Sequence, residues 1–209
     1  MEQVRTAEEA HRAHVEERLR IEGVSWDWLQ DDGMPAQRLV ERSGLADLIV
    51  LSVPSGDDDG RTSLVGDVAI HARAPVLAMP QASRSFDCTG RAFVAWNGSS
   101  EASHAVRLCR PMLERASAVH IVTVVEGEAE FPATEACRYL AHYGIEARLH
   151  EIAREGRGTA EALTDAAAML NADYVLMGAY GHSRMREAVF GGVTRELLRD
   201  SPLPLLLGH

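Results

Sequence analysis

Short apolar segments alternate with amphipathic segments along most of the chain. From residue 91 to residue 209, five apolar runs rich in Val, Ile and Leu are separated by four stretches with apolar residues at helical spacing. Apolar runs without polar alternation are typical of strands buried on both faces. Strands that alternate with helices imply right-handed crossovers and helices on both faces of the sheet. The pattern predicts an α/β, Rossmann-like fold with a five-stranded parallel sheet over residues 91–209.

The first 80 residues show a shorter version of the same pattern. Their apolar spacing predicts three helices and three strands, at 6–20, 35–42 and 63–73 and at 24–29, 46–53 and 75–79. The stretch that follows, 81–90, has the composition of a linker. This part of the chain therefore holds fewer elements than the part after the linker.

An internal repeat relates the two parts. The Ala-Asp pairs at 46–47 and 172–173 each precede an apolar strand, an offset of 172 − 46 = 126 residues, and the same offset carries Gly66 onto Gly192. The first part lacks a counterpart of the strand, helix and strand predicted over 91–125. Either its N-terminus is shortened or a partner closes the gap. We predict an incomplete repeat, a linker and a complete domain, at 1–80, 81–90 and 91–209.

Composition and charge narrow the class of protein. A hydrophobic content of 46% in 209 residues is enough for an ordinary globular core. No apolar run approaches the ~20 residues of a membrane span, and the N-terminus is charged throughout, so we expect a cytoplasmic protein with no membrane partner. The net charge of −10 repels polyanions, which argues against nucleic acid as a partner.

The basic residues exclude several mechanisms, because all 21 of them are arginines. Without lysine the chain cannot form a Walker phosphate loop, a Schiff base or a kinase-type lysine contact. Any phosphate contact must come from backbone amides, Arg, His or hydroxyl groups. The three cysteines are odd in number and share no CxxC spacing, so we expect reduced thiols and no bound metal.

A spaced set of glycines follows the apolar strand predicted at 172–177. Gly178 and Gly181 interrupt that strand, and Gly191 and Gly192 precede a stretch with apolar residues at helical spacing. Glycines at a strand end and a helix start let backbone N–H groups approach an anion, and the helix dipole favours negative charge there. The spacing therefore indicates a loop that can hold a phosphate.

This motif, Gly178-x-x-Gly181, nine residues and then Gly191, resembles the ATP-binding signature of the universal stress protein (UspA) family. In the family the last glycine is followed by Ser or Thr, whereas this chain has Gly192, with Thr194 two residues further on. The repeat resembles the tandem form of the family. The resemblance implies an adenine nucleotide α-hydrolase-like sheet with strand order 3-2-1-4-5.

The resemblance also implies where a nucleotide would bind. The position of Asn97 is usually Asp in the family and contacts the nucleoside, a residue near Val124 packs on adenine, and the glycine loop holds the phosphates. Asn97 has a second interpretation, a turn before Gly98. His182 could reach a phosphate or move a proton, but we assign no catalytic residue. ATP, accompanied by Mg²⁺, is expected to contact Asn97, Val124, Met177, Gly178, Gly181, His182, Gly191, Gly192, Val193 and Thr194.

Three functions are compatible with these residues. The first is a stress protein that binds an adenine nucleotide and hydrolyses it slowly at most. The second is a nucleotide-independent dimerisation or signalling module. The third is an enzyme of the related α-hydrolase kind, but the segment NGSSEAS at 97–103 lacks the paired glycines and the aspartate of an SGGxDS-like loop. We favour the first.

The first repeat is not expected to bind a nucleotide. It has Ser52 and Ser55 at the positions of Gly178 and Gly181. Its predicted role is structural. The last strands of the two repeats, 76–79 and 205–207, are expected to pair edge to edge, in a homodimer or an intramolecular pseudo-dimer, which would protect both apolar edges from aggregation.

Overall fold

The computed structural model of the chain describes residues 2–53, 59–125, 131–179 and 192–209. It forms two compact units, Met1–Gly33 and Met34–His209. In the described part of the chain, no helix is long and apolar enough to cross a membrane.

The first unit consists of a helix, α1 (Glu2–Glu22), and an extended segment. The strand predicted at 24–29 is wrong, because these residues form no regular secondary structure. A strand needs a neighbour for its backbone groups, and the alternating side chains find no apolar surface, with Val24 51% and Trp26 40% exposed. The Arg12 guanidinium lies over the Trp28 ring, 5.3 Å from its centroid.

The second unit contains strands and helices in alternation. Its strands are β1 (Ile49–Val53), β2 (Val76–Pro80), β3 (Arg91–Ala95), β4 (Ala118–Val124), β5 (Ala147–Ile152), β6 (Tyr174–Gly178) and β7 (Leu205–Gly208). Its α-helices are α2 (Pro35–Arg42), α3 (Asp59–His71), α4 (Ser100–Leu108), α5 (Arg110–Leu113), α6 (Ala133–Ala141), α7 (Thr159–Met169) and α8 (Gly192–Asp200), and a 3-10 turn covers Ser43–Leu45.

One sheet collects all of these strands in the order β1-β2-β7-β6-β3-β4-β5. Five neighbouring strands, from β5 to β7, are mutually parallel and have the order 3-2-1-4-5 when counted from β3. The five-stranded parallel sheet predicted over residues 91–209 is therefore confirmed. The chain leaves β3 toward β4 and β5 and returns to the other side of β3 as β6, so the winding reverses between β3 and β6.

The strands of residues 34–80 extend the same sheet. β2 is antiparallel to β7, with Val76 opposite Leu207 and Ala78 opposite Leu205, and β1 is parallel to β2. The apolar strands expected to lie edge to edge are thus neighbours within one chain. The division into an incomplete repeat, a linker and a complete domain stays a prediction, as does the homodimer.

Helices cover the sheet on both faces, as a doubly wound sheet requires. On one face, α3, α7 and α8 contribute a set of nearly inaccessible side chains: Val65, Val68, Leu163, Ala166, Leu197 and Leu198. On the other face, α4, α5 and α6 contribute Ala105, Val106, Leu113, Ala136 and Leu140. The central strands β6 and β7 are buried on both sides, and each fully buried Leu or Val contributes about 1.5–3 kcal/mol to the free energy of unfolding.

Helix α4 lies very close to β7, because Gly208 has no side chain. A Cβ at Gly208 would lie 2.6 Å from Ala105 Cα and 2.8 Å from Ala105 Cβ. Both atoms belong to a helix that is held on the sheet, so neither can move away alone. Glycine at this position therefore determines how closely α4 approaches the sheet.

Gly208→Ala should lower the free energy of unfolding by about 1–3 kcal/mol, because the added methyl group overpacks this contact. Urea denaturation measures the change. Gly44→Ala is the matched control, since a Cβ there would meet nothing within 4 Å. Equal denaturation midpoints for the two variants would contradict the close approach.

Two histidines form a hydrogen bond across neighbouring strands. His120 Nδ1 on β4 and His150 Nε2 on β5 lie 3.0 Å apart, so one ring donates and the other accepts. Burial lowers the pKa of His120 from its ordinary value of 6.5, and the charges of His150, Arg148 and Arg91 lower it further. The folded protein therefore favours the neutral form of His120.

This pair should make stability depend on pH. Because the pKa of His120 is lower in the folded state, its contribution to stability is present above about pH 6.5 and is lost as the pH falls through the folded-state pKa. His120→Gln, which keeps a hydrogen-bonding group without titrating, should lose less stability than the wild type between about pH 7.5 and about pH 5.5. Urea denaturation at both pH values tests this, with the exposed His104→Gln as the control. If His120→Gln loses as much stability between the two pH values as the wild type does, the prediction is wrong.

Candidate functional site

Some of the sequence-predicted residues lie at the carboxyl ends of neighbouring parallel strands. Asn97 follows β3, Val124 ends β4 and Gly178 ends β6, and these strands are parallel neighbours. The crevice at this edge, next to the reversal between β3 and β6, is where doubly wound sheets bind ligands. Gly181, His182 and Gly191 lie outside the described residues.

The loop after β3 is held by its own side chains. Asn97 Oδ1 accepts a hydrogen bond from Ser99 N at 3.1 Å, and Ser99 Oγ caps α4 by accepting one from Ala102 N at 3.2 Å. The turn interpretation of Asn97 therefore describes its observed contact. The side chain is also exposed, so its amide N–H₂ group can contact a ligand from the same position.

Gly178 is required by packing. A Cβ at this position would lie 2.5 Å from Ala102 N and 2.6 Å from Glu101 C, which are backbone atoms in the first turn of α4. The glycine lets the N-terminus of α4 lie directly beside the end of β6. The structure thus gives a reason for Gly178 that involves no phosphate.

The start of α8 contains one open position and one buried one. Among the described residues, a Cβ at Gly192 would meet only Glu196 Oε1, at 3.9 Å, and Gly192 itself is exposed. Val193 is half-buried, and Thr194 is only 4% exposed. Because Thr194 is buried, its hydroxyl is poorly placed to replace the one that is missing at position 192. Gly192 is the residue that is accessible to a ligand.

The predicted apolar contacts differ in accessibility. Met177 is only 6% exposed and belongs to the core under α7 and α8. Val124 is half-buried and packs against the same cluster, so it presents part of its surface to the crevice. Val124 is therefore better placed than Met177 to touch an adenine ring.

Sequence reasoning missed a buried carboxylate at this edge. Glu101 lies in the first turn of α4 and is 4% exposed. A charged side chain is rarely this buried, and here it lies at the N-terminus of a helix, where the dipole favours negative charge. Glu101 follows the N-cap Ser99 by two residues, but only the fold shows that it is buried.

Sequence reasoning also missed two hydrogen bonds that hold the loop after β3. Trp96 Nε1 donates a hydrogen bond to Phe131 O at 3.0 Å, and Phe131 N donates one to Gly98 O at 3.0 Å. Gly98 has a φ of +71°, a backbone conformation that favours glycine. At the far end of the crevice, His209 Nδ1 lies 2.8 Å from Ala179 O.

Two cavities of the second unit lie away from the crevice. One, of about 610 Å³, opens at the amino ends of β4 and β5 beside Cys137 and Arg148. The other, of about 100 Å³, is apolar and lies between α7 and α8. Among the described residues, no group of three or more His, Cys, Asp or Glu side chains is placed to hold a metal ion.

These features define a doubly wound α/β protein whose candidate site lies at the switch point of the sheet. A model of the universal stress protein family matches residues 90–207. The chain belongs to this family. A comparison with curated proteins gives no match.

Solved structures agree with this fold. The chain is similar to a universal stress protein from Archaeoglobus fulgidus, with a TM-score of 0.76 and 18% identity over 97% of this chain and 78% of that one. It is also similar to a functionally unknown protein from Pseudomonas aeruginosa, with a TM-score of 0.61 and 20% identity over 96% of this chain and 77% of that one. These identities are low, so the two likenesses concern the fold alone.

The contact of Asn97 gives a testable expectation. Asn97→Asp should keep the free energy of unfolding within about 0.5 kcal/mol, because a carboxylate accepts the Ser99 N–H equally well beside a helix N-terminus. Asn97→Ala should cost about 1 kcal/mol, because that hydrogen bond is lost. Thermal denaturation distinguishes the two variants, and an equal loss for both would contradict the contact.

Proposed function

We propose that the chain binds an adenine nucleotide in the crevice at the carboxyl ends of β3, β4 and β6. The observation that carries this proposal is the start of α8. Gly192 is exposed, a Cβ there would meet only Glu196 Oε1, at 3.9 Å, among the described residues, and the first turn of the helix has no acidic residue. The N-terminus of a helix without an acidic residue in its first turn is a suitable place for a phosphate.

The charges around the crevice orient the ligand. Helix α4 also begins at this edge, but its first turn carries an acidic residue, Glu101, whereas the first turn of α8 carries none. The phosphates therefore belong at α8 and the nucleoside at the end of β3, where Asn97 can hydrogen-bond and Val124 offers apolar surface. This orientation agrees with the roles that the family signature implies.

The expected affinity is moderate. Backbone amides at the start of α8 are expected to supply phosphate contacts, the chain has no lysine to add to them, and the usual Ser or Thr hydroxyl is replaced by Gly192. A micromolar dissociation constant corresponds to about −8 kcal/mol, which several backbone hydrogen bonds and a buried adenine ring can provide. Mg²⁺ would accompany the nucleotide and screen its charge.

In this proposal the bound nucleotide acts on conformation or assembly, and its hydrolysis is slow at most. Such a role suits adaptation to stress, in which the nucleotide level is sensed and not consumed. None of the described residues at the crevice forms an aligned pair of nucleophile and base. A folded protein that fails to bind would instead favour the nucleotide-independent module.

Isothermal titration with ATP and Mg²⁺ tests the proposal through three variants of one residue. Gly192→Ser restores the hydroxyl and should tighten binding by about two- to tenfold, the effect of one hydrogen bond. Gly192→Ala, which adds a methyl group without a hydroxyl, is its matched control and should bind like the wild type. Gly192→Asp should weaken binding at least about tenfold, because a carboxylate repels phosphate while it stabilises the helix N-terminus.

The Asp variant separates loss of binding from loss of folding. Circular dichroism should show that its helices are intact and at least as stable as those of the wild type. The absence of saturable binding by folded wild type at about 1 mM ATP would overturn the proposal. Equal affinities for all three variants would place the nucleotide away from α8.

A further inference from the structure

An aromatic side chain at the carboxyl edge of the sheet is accessible to solvent. Phe131 lies two residues before α6 and is 41% exposed. Other large apolar side chains near this edge are covered, with Trp96 5% and Met177 6% exposed. An exposed phenylalanine is ordinary by itself, so the place at which the fold holds it decides its meaning.

Two backbone hydrogen bonds hold Phe131 beside the loop after β3. Phe131 N donates to Gly98 O, and Phe131 O accepts from Trp96 Nε1, each at 3.0 Å. These partners flank Asn97, the residue at which the proposed function places the nucleoside. Trp96 belongs to the core under α4 and α6, so the contact is anchored in packed structure. Phe131 is therefore held next to the nucleoside position.

The end of β4 supplies apolar surface at the same place. Val125 N donates to Ile152 O at 3.0 Å, so the pairing of β4 continues through this residue, and the Val125 side chain is 62% exposed. Val124 packs on the core under α7 and α8. Because successive residues of a strand point to opposite faces, Val125 points to the face that carries α6. The exposed side of Val125 thus lies on the side of the sheet on which Phe131 is held.

These side chains suit a nucleobase more than a phosphate or a metal ion. Phe131, Val124 and Val125 carry no charge, and an aromatic ring stacks favourably on the flat face of any base. Stacking therefore adds affinity for a base without choosing among bases. Hydrogen-bonding groups such as the Asn97 amide would make that choice.

We propose that Phe131 stacks on the base of the bound nucleotide, on the side opposite to Val124. The inference rests on the proposed nucleotide binding and adds the residue that holds the base. Val124 on the α7 side and Phe131 on the α6 side then enclose the base between an aliphatic and an aromatic surface. The two backbone hydrogen bonds place Phe131 before the nucleotide arrives, so binding does not have to order this part of the chain.

Isothermal titration with two probes tests the proposal. ATP with Mg²⁺ carries the base, whereas tripolyphosphate with Mg²⁺ carries only the charge. Phe131→Leu removes the ring and keeps both backbone hydrogen bonds, so it should weaken ATP binding at least about fivefold, the effect of losing one stacking contact. Its affinity for tripolyphosphate should equal that of the wild type. Phe131→Tyr keeps the ring and should bind ATP within about twofold of the wild type.

Tyr143→Leu is the matched control. Tyr143 follows α6 at its other end, is 46% exposed and lies under the Arg110 guanidinium, 4.0 Å from the ring centroid. Its replacement removes a similarly exposed ring away from the crevice and should leave ATP binding unchanged. Circular dichroism verifies that each variant is folded.

The possible outcomes distinguish the stacking role from the proposed function. Equal ATP affinities of Phe131→Leu and the wild type would overturn the stacking role and leave nucleotide binding intact. Equal losses of ATP and tripolyphosphate binding would assign Phe131 a structural role in the loop and would also overturn stacking. A folded wild type that binds no ATP would overturn both proposals.

Discussion

The antiparallel pairing of β2 with β7 is the contact on which the arrangement of the second unit depends. Leu77 and Leu206 lie opposite each other at 3% and 0% exposure. Without this pairing, each strand would be an open apolar edge, a form that promotes aggregation. The pairing joins residues 34–80 to the complete parallel sheet. It also moves the open edge outward to β1, where no charge protects it.

The position of α4 connects this core to the crevice. Gly178 and Gly208 both lie where a Cβ would meet α4, at 2.5 Å from its backbone in one case and 2.6 Å in the other. The helix therefore lies directly on β6 and β7, and its N-terminus lies beside the end of β6. Gly178 thus serves the core and the edge of the crevice together, which explains why a packing role and a binding role are hard to separate at this residue.

Charge distribution rather than total charge determines what the crevice can accept. The chain as a whole carries −10, which opposes the approach of an anion. At the crevice itself, the first turn of α4 contains the acidic Glu101, whereas the first turn of α8 contains no acidic residue. Membership of the universal stress protein family agrees with a nucleotide at this place. The replacement of a family hydroxyl by Gly192 explains why we expect moderate affinity.

The edge of the sheet at which the candidate site lies could be predicted from the sequence. Asn97 and Gly178 follow apolar runs that had to be parallel strands, and the carboxyl ends of such strands share one edge. The orientation of the individual side chains could not be predicted in this way. Thr194 is buried and Gly192 is exposed because of the way α8 lies on the sheet. No local sequence pattern encodes that placement.

The sequence by itself determined the α/β class and the order of the elements over residues 91–209, because periodicity reflects whether a segment is a strand or a helix and which side is covered. Only the tertiary structure decided which segments pair with a neighbouring strand and which side chains contact each other. Residues 24–29 have the alternation of a strand but form none, since a strand is stable only beside another. His120 and His150 are 30 positions apart and hydrogen-bonded. Such pairs depend on strand order and register, which are set by the packing of the whole sheet and not by neighbouring residues.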